Sequence, residues 1–217
     1  WHRKHKHWEA LNLNIVTPSQ WLAGCARKSS LLNGKRVEVI PNGVNTERYR
    51  PLDKANARDI LSLPARKRLV LLGSSGLNGD PNKGFAHLKS SLEKLAADDL
   101  AKSTDLVVMG VSKPIQPLDS IFNTHYLGHL HDDVSMALAY AAADVFVMPS
   151  IQENLPNSVM ESMACGTPCV VFKIGGMPDL IEHEHEGYLA QPFDTTDLAR
   201  GINWVLEDGQ RWQRLSQ

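Results

Sequence analysis

The chain has 217 residues, 42% of them hydrophobic and 22% charged, with a formal net charge of −1. This supports one sizeable core or one core plus part of another, and gives no electrostatic reason to expect a nucleic-acid partner. There is no apolar run near the roughly 20 residues that span a bilayer and no secretory signal pattern; Cys25, Cys165 and Cys169 form neither a paired framework nor a CxxC metal motif, so a reducing cytoplasm is the expected setting.

In chain order, residues 1–13 are expected to form a helix with Trp8 and Leu11 on its buried face and the basic group His2, Arg3, Lys4, His5 and Lys6 solvated. A strand over 15–17, a helix over 21–32 closed by Asn33-Gly34, and a strand over 36–40 follow, then Asn42-Gly43 as a turn with positive φ. Residues 56–61 suggest a short helix. Residues 68–73 (RLVLLG) read as a buried strand leading into Ser74-Ser75-Gly76-Leu77-Asn78-Gly79-Asp80. Lys83-Gly84-Phe85 opens a helix with Phe85, Leu88, Leu92 and Leu95 at helical spacing, and strands over 105–109 and 126–128 precede an alanine-rich helix over 134–142.

Residues 144–172 form the most organised stretch. Val145 to Met148 is an apolar run broken by Pro149 and Ser150; a helix starts near Pro156, placed in its first turn, with Val159, Met160, Met163 and Ala164 on its buried face. Gly166 marks a left-handed cap, and Cys169 to Phe172 is a second β-branched run. A last helical stretch covers 197–206. Strand and helix alternate throughout, so the expected fold class is α/β, a doubly wound parallel sheet. The βαβ unit puts Glu153 in a loop at the carboxyl edge of that sheet, where such sheets bind ligands, with Glu161 about two turns into the helix. Two carboxylates flanking a helix start suit a ligand with hydroxyls at both ends and phosphates between, the layout of a nucleotide-sugar.

Glu153, seven intervening residues, Glu161 and then Ser162-Met163-Ala164-Cys165-Gly166-Thr167-Pro168-Cys169-Val170 resemble the EX7E motif and its continuation in the family 4 (group 1) retaining glycosyltransferases of GT-B fold. Ile40-Pro41-Asn42-Gly43-Val44, Asn82-Lys83-Gly84-Phe85, Gly128, the 143–150 run and Gly175-Gly176-Met177-Pro178-Asp179 fall in the same order as that family's pieces. The resemblance implies that residues 1–50 are the end of an amino-terminal acceptor domain and hinge, and 51–217 the carboxy-terminal, Rossmann-like donor-binding domain. It further implies that most of the acceptor domain, its glycine-rich loop and a closing carboxy-terminal helix are missing from the chain.

By the same resemblance Glu153 is the catalytic carboxylate beside the transferred hexose, and Lys83 contacts the donor diphosphate. The family's usual arginine after the strand is replaced by Ser74 and Ser75, following Gly73. Glu161 would accept both ribose hydroxyls; its rival reading is a capping box with Ser158, which placing Pro156 inside the helix disfavours. Asn154, Leu155, Asn157 and Ser158 are candidates for sugar and phosphate contacts, and Gly128, His129 and Leu130 for the base. Gly175 and Gly176 read as a tight turn.

The donor is expected to be a UDP- or GDP-sugar, with no cofactor and no metal; the run His183, Glu184, His185 and Glu186 reads as a solvated loop. The acceptor, a sugar or a lipid-linked sugar, would be held by the missing domain, and peripheral membrane association of the whole protein stays open. Two alternatives remain at this stage: a nonhydrolysing sugar-nucleotide epimerase using His125, His129 or His131, and a nucleotide-sugar-binding module without chemistry.

Overall fold

The computed structural model describes residues 1–8, 10–73, 80–97, 99–112, 118 and 120–217. The glycine-rich segment 74–79 lies outside the described residues. Helix α1 (His2–Trp8) buries none of its residues and Leu11 is 47% exposed, so the expected buried face is not formed. Its run of lysine, arginine and histidine offers too few apolar positions to pack.

A two-stranded parallel sheet pairs β1 (Asn14–Thr17) with β2 (Arg36–Val39) through α2 (Gln20–Lys28). Ser19 caps α2, its hydroxyl accepting from the Leu22 amide, and the helix ends at Lys28, short of residue 32. Gly43 is not among the positive-φ glycines, so the expected Asn42-Gly43 turn with positive φ is not formed.

After α3 (Lys54–Ile60) comes a six-stranded sheet of β3 (Arg68–Gly73), β4 (Thr104–Met109), β5 (Thr124–Gly128), β6 (Val145–Met148), β7 (Cys169–Phe172) and β8 (Gly187–Ala190). Its order is β5-β4-β3-β6-β7-β8 and every pairing is parallel. The inner strands are largely apolar because both faces are covered, whereas the edge strand β5 (THYLG) is only half-buried. Leu69, Leu71, Phe146, Met148 and Val171 pack on one side, with α5 (Asp133–Ala142) and α6 (Asn157–Ala164). Val70, Leu72, Val145, Val147 and Phe172 pack on the other, with α4 (Phe85–Leu95) and α7 (Thr195–Glu207). Cys165 and Cys169 belong to the first of these cores, and burial pushes both thiols up to about 12.

Two elements were not read from the sequence. Strand β8 supplies the outer edge of the sheet, and α8 (Gly209–Leu215) follows α7 directly, Asp208 being both the last residue of one turn and the side-chain cap of the next.

Candidate functional site

The chain enters the large sheet at β3 and moves outward through β4 and β5, then returns to β6 beside β3 and moves outward the other way. Crossovers on the two sides diverge from this switch point and leave a crevice at the carboxyl ends of the two central strands. Here that crevice is a cavity of about 280 Å³ between Gly73, which ends β3, and Met148, which ends β6. Lys83, His129, Leu130, Tyr140, Ser150 and Ser158 also line it.

Lys83 is placed by the 3₁₀ turn Pro81–Lys83, which Asp80 caps through the Asn82 amide. Gly84 follows with φ of 68°, and a Cβ there would lie 1.9 Å from the Pro149 carbonyl oxygen. The Ile151 amide donates to the Asn82 carbonyl at 2.8 Å. Only glycine lets these two loops close together, and their closure brings the Lys83 ammonium 2.6 Å from Glu153 Oε1. The sequence-predicted cation is therefore already half of an ion pair with the sequence-predicted catalytic acid.

Glu153 is held from behind. A Cβ at Gly175, φ 51°, would lie 1.8 Å from the Glu153 carbonyl oxygen, and one at Gly176 would lie 1.8 Å from that of Asn154. Gly175-Gly176 is a turn, as read, and these glycines are also the floor on which the Glu153 loop rests. Asn154 Oδ1 accepts from the Ser19 hydroxyl at 2.5 Å, and Asp179 accepts from the Gln20 amide at 2.6 Å, so the start of α2 is tied to the same loop. Between them lies a second cavity of about 330 Å³, lined by Trp21, Asp80, Asn82, Gln152, Glu153 and Asn154, with Lys83 shared between the two.

Pro156 is the N-cap of α6, with ψ of 125°, and the helix proper starts at Asn157, one residue later than expected. Proline has no amide hydrogen, and as the residue entering the helix it retains an extended conformation. The capping box is not formed. Ser158 Oγ contacts Met148 Sδ at 3.5 Å, while Glu161 Oε2 accepts from the Tyr140 hydroxyl at 3.0 Å. Burial holds the Glu161 carboxyl above its ordinary value; the Tyr140 hydrogen bond pulls it down and the Asp133 charge pushes it up.

Among the other expected residues, Leu155 is buried, Asn157 is exposed at the helix start, and Gly128 has φ of 70° where its carbonyl accepts from the Gly110 amide at 2.7 Å. His129 lines the first cavity with its ring stacked on His131 at 6.1 Å. His125 is elsewhere: its Nε2 lies 2.9 Å from Asp105 Oδ2, and Asp105 is four residues, or about 13 Å, from the Met109 end of β4. The epimerase reading loses that histidine.

The run His183, Glu184 and His185 is exposed, as expected of a solvated loop, and His183 Nδ1 also accepts from the Leu189 amide at 3.2 Å, anchoring β8. Glu182, His185 and Glu186 offer ligand atoms within 4.8 Å of one another, but none of the three lines either cavity. Two hydroxyl-bearing residues that line the first cavity were not among the expected ones. Tyr140 lay inside the alanine-rich helix over 134–142. Ser150 read as a strand breaker, yet the residue lines the first cavity and its buried hydroxyl has no hydrogen-bond partner among the described residues.

Residues 66–208 match the family model described as glycosyl transferases group 1. A D-inositol 3-phosphate glycosyltransferase of Stackebrandtia nassauensis is 30% identical over 198 residues, which cover 83% of this chain and 43% of that protein. Among solved structures, sucrose-phosphate synthase from Thermosynechococcus elongatus superposes with a TM-score of 0.81 at 26% identity, over 100% of this chain and 55% of that one. Anabaena HepE in complex with UDP-glucose gives 0.70 at 23% identity, over 93% and 56%. The chain thus spans about half the length of the proteins it matches, and its parallel sheet with flanking helices is their Rossmann-like, GT-B type of domain. No helix among the described residues is long and apolar enough to cross a membrane.

Proposed function

This chain belongs to the group 1 glycosyl transferases, and from that premise we propose that it is the donor-binding part of a retaining hexosyltransferase acting on a nucleoside-diphosphate hexose. The observation that carries the reading is the Lys83–Glu153 pair, which stands where the two cavities meet at the switch point of the sheet. In this reading the nucleotide fills the first cavity, with its base against the backbone of Gly128, His129 and Leu130 and its ribose hydroxyls on Glu161. The diphosphate lies between Lys83 and the start of α6, near Ser158, where free helix amides favour anions. The hexose passes Glu153 into the second cavity, within reach of Asn154 and Leu155.

Transfer then proceeds by departure of the diphosphate and attack of the acceptor hydroxyl on the same face of the anomeric carbon. The bond from carbon to phosphate oxygen breaks with its electron pair, the new bond forms to the acceptor oxygen, and the acceptor proton passes to the departing phosphate. Lys83 offsets charge on the leaving group, and Glu153 offsets positive charge growing on the sugar. The solved relative that holds UDP-glucose supports a sugar nucleotide as donor; the sugar or lipid-linked acceptor, in this proposal, is bound by the partner domain of the full protein.

Calorimetric titration with UDP, GDP, UDP-glucose and uridine tests the reading. A diphosphate should bind in the millimolar to high micromolar range and uridine far more weakly, with Lys83→Ala costing about 1.5–3 kcal/mol, the value of a hydrogen bond to a charged group. Equal affinity for uridine and UDP would remove the phosphate site and the proposal with it.

A further inference from the structure

We propose that Tyr140, which lines the first cavity, is the positioning residue of the nucleotide's ribose subsite, its hydroxyl orienting the neighbouring Glu161 carboxylate as a two-oxygen acceptor for a vicinal diol. The proposal rests on the nucleotide reading above. It says something that reading does not: which side chain sets the geometry and charge of Glu161.

Tyr140 is fully buried. Its ring is gripped edge-on by Phe146 at 5.5 Å and Tyr49 at 6.4 Å, and its backbone carbonyl accepts from Thr167 Oγ1 at 2.7 Å, just beyond α6. With two side-chain torsions and both ends fixed, the ring leaves its hydroxyl little freedom. That hydroxyl donates to Glu161 Oε2 at 3.0 Å while Tyr140 itself lines the cavity. A carboxylate has about four lone-pair directions, so one donor from Tyr140 leaves both oxygens able to accept from a diol.

A buried tyrosine hydroxyl needs a partner, and a backbone carbonyl would serve for packing alone. Here the partner is a half-buried acid in unfavourable company. Tyr140 and Asp133 face Glu161 from α5, Tyr49 from the segment before α3, and Cys165 from the end of its own helix, while Arg48 and Tyr49 both engage Asp133. Burial and then Asp133 favour the protonated form, and the Tyr140 hydroxyl opposes them. Removing that hydroxyl both frees the carboxylate to rotate and raises the pH at which it ionises.

The test compares UDP and GDP with their 2′-deoxy counterparts, by calorimetry from pH 5 to 8, on the wild-type chain, Tyr140→Phe and Glu161→Gln. Each ribo–deoxy pair carries the same phosphates, so the affinity ratio cancels their titration. The wild type should prefer the ribonucleotide by about tenfold or more and Glu161→Gln should abolish the preference, in line with a lost charge-assisted contact. Tyr140→Phe, with an unchanged circular dichroism spectrum, should lose most of the preference at pH 5–6 and recover part of it toward pH 8. A wild-type ratio retained by Tyr140→Phe at every pH overturns the proposal. Absence of any ribo preference in the wild type overturns the proposal as well, while the nucleotide reading itself falls only if UDP does not outbind uridine. Should Tyr140→Phe not fold, Thr167→Val, which loosens the Tyr140 backbone and leaves the hydroxyl, must lower the preference; an unchanged ratio there is equally fatal.

Discussion

Lys83 and Glu153 neutralise each other across 2.6 Å, so a diphosphate entering the crevice meets a cation already engaged and a carboxylate that repels it. Ligand binding on this proposal must draw the ammonium toward phosphate and leave Glu153 facing the sugar. Opposite signs follow for two mutations. Lys83→Ala should weaken UDP binding, whereas Glu153→Gln, which keeps the shape and removes the negative charge, should strengthen it several-fold. On the same proposal, Glu153→Gln in a transfer-competent protein should depress turnover strongly, because the proposed contact grows with charge on the anomeric carbon. Calorimetry with UDP and steady-state transfer assays check the pair, and weaker UDP binding by Glu153→Gln would separate Glu153 from the phosphate side. Lys83, Glu153 and Glu161 were marked in the sequence by the motif pieces that resemble the family's, and the structure brings Lys83 and Glu153 within 2.6 Å of each other. Tyr140 and Ser150 were not so marked, since a tyrosine inside an alanine-rich helix or a serine beside a proline gives no sign of lining a cavity.

At the scale of elements, two loops on either side of the Glu153 segment hold it by backbone approach. The turn that ends at Gly84 lies on Pro149, and Gly175-Gly176 lies under Glu153 and Asn154, with Ser19 also 2.9 Å from a Cβ at Gly176. Gly176→Ala must push the Asn154 carbonyl and Ser19 apart, loosening α2 from the loop. The expected cost is about 1–3 kcal/mol, the usual range for overpacking, read as a lower urea midpoint. UDP-glucose affinity should fall more than UDP affinity, because the displaced segment touches the sugar side. Equal losses for the two ligands would mean the glycines support the fold alone. The central strands and their helices were readable as continuous apolar runs alternating with 3.6-residue periodicity. Strand β8 was not: Gly187-Tyr188-Leu189-Ala190 is short, opens on glycine and carries no β-branched residue. Helix α8 was hidden because Asp208-Gly209 reads as a turn, whereas Asp208 caps the next helix and Gly209 is its first residue.

Across the whole molecule, the end of the sheet opposite the crevice is closed by one carboxylate. Asp144 accepts from Arg58 at 2.7 Å, Lys54 at 2.8 Å and the Leu69 amide at 2.7 Å, and its backbone carbonyl accepts from Trp212 Nε1 at 2.6 Å. Helix α3, the start of β3, the entry to β6 and α8 thus converge on a single residue. Lys54 also lies 3.6 Å from the Trp212 ring centroid, and burial holds its ammonium below the ordinary value although Asp144 supports it. The Arg58 side chain is 7% exposed and donates besides to the carbonyls of Ala142, Ala65 and Lys67. Asp144→Ala would strand that guanidinium, and breaking one side of a buried pair costs about 3–5 kcal/mol. Asp144→Asn, which keeps the shape and one acceptor for the Leu69 amide, should lose less. Because the hub lies at the far end of strands whose other ends line the cavity, nucleotide affinity of the folded fraction should be nearly unchanged in both. Urea unfolding paired with UDP titration measures the two effects separately. A midpoint unchanged by Asp144→Ala would show that hydrophobic cover on the two faces, and not this ionic knot, holds α3 and α8 to the sheet.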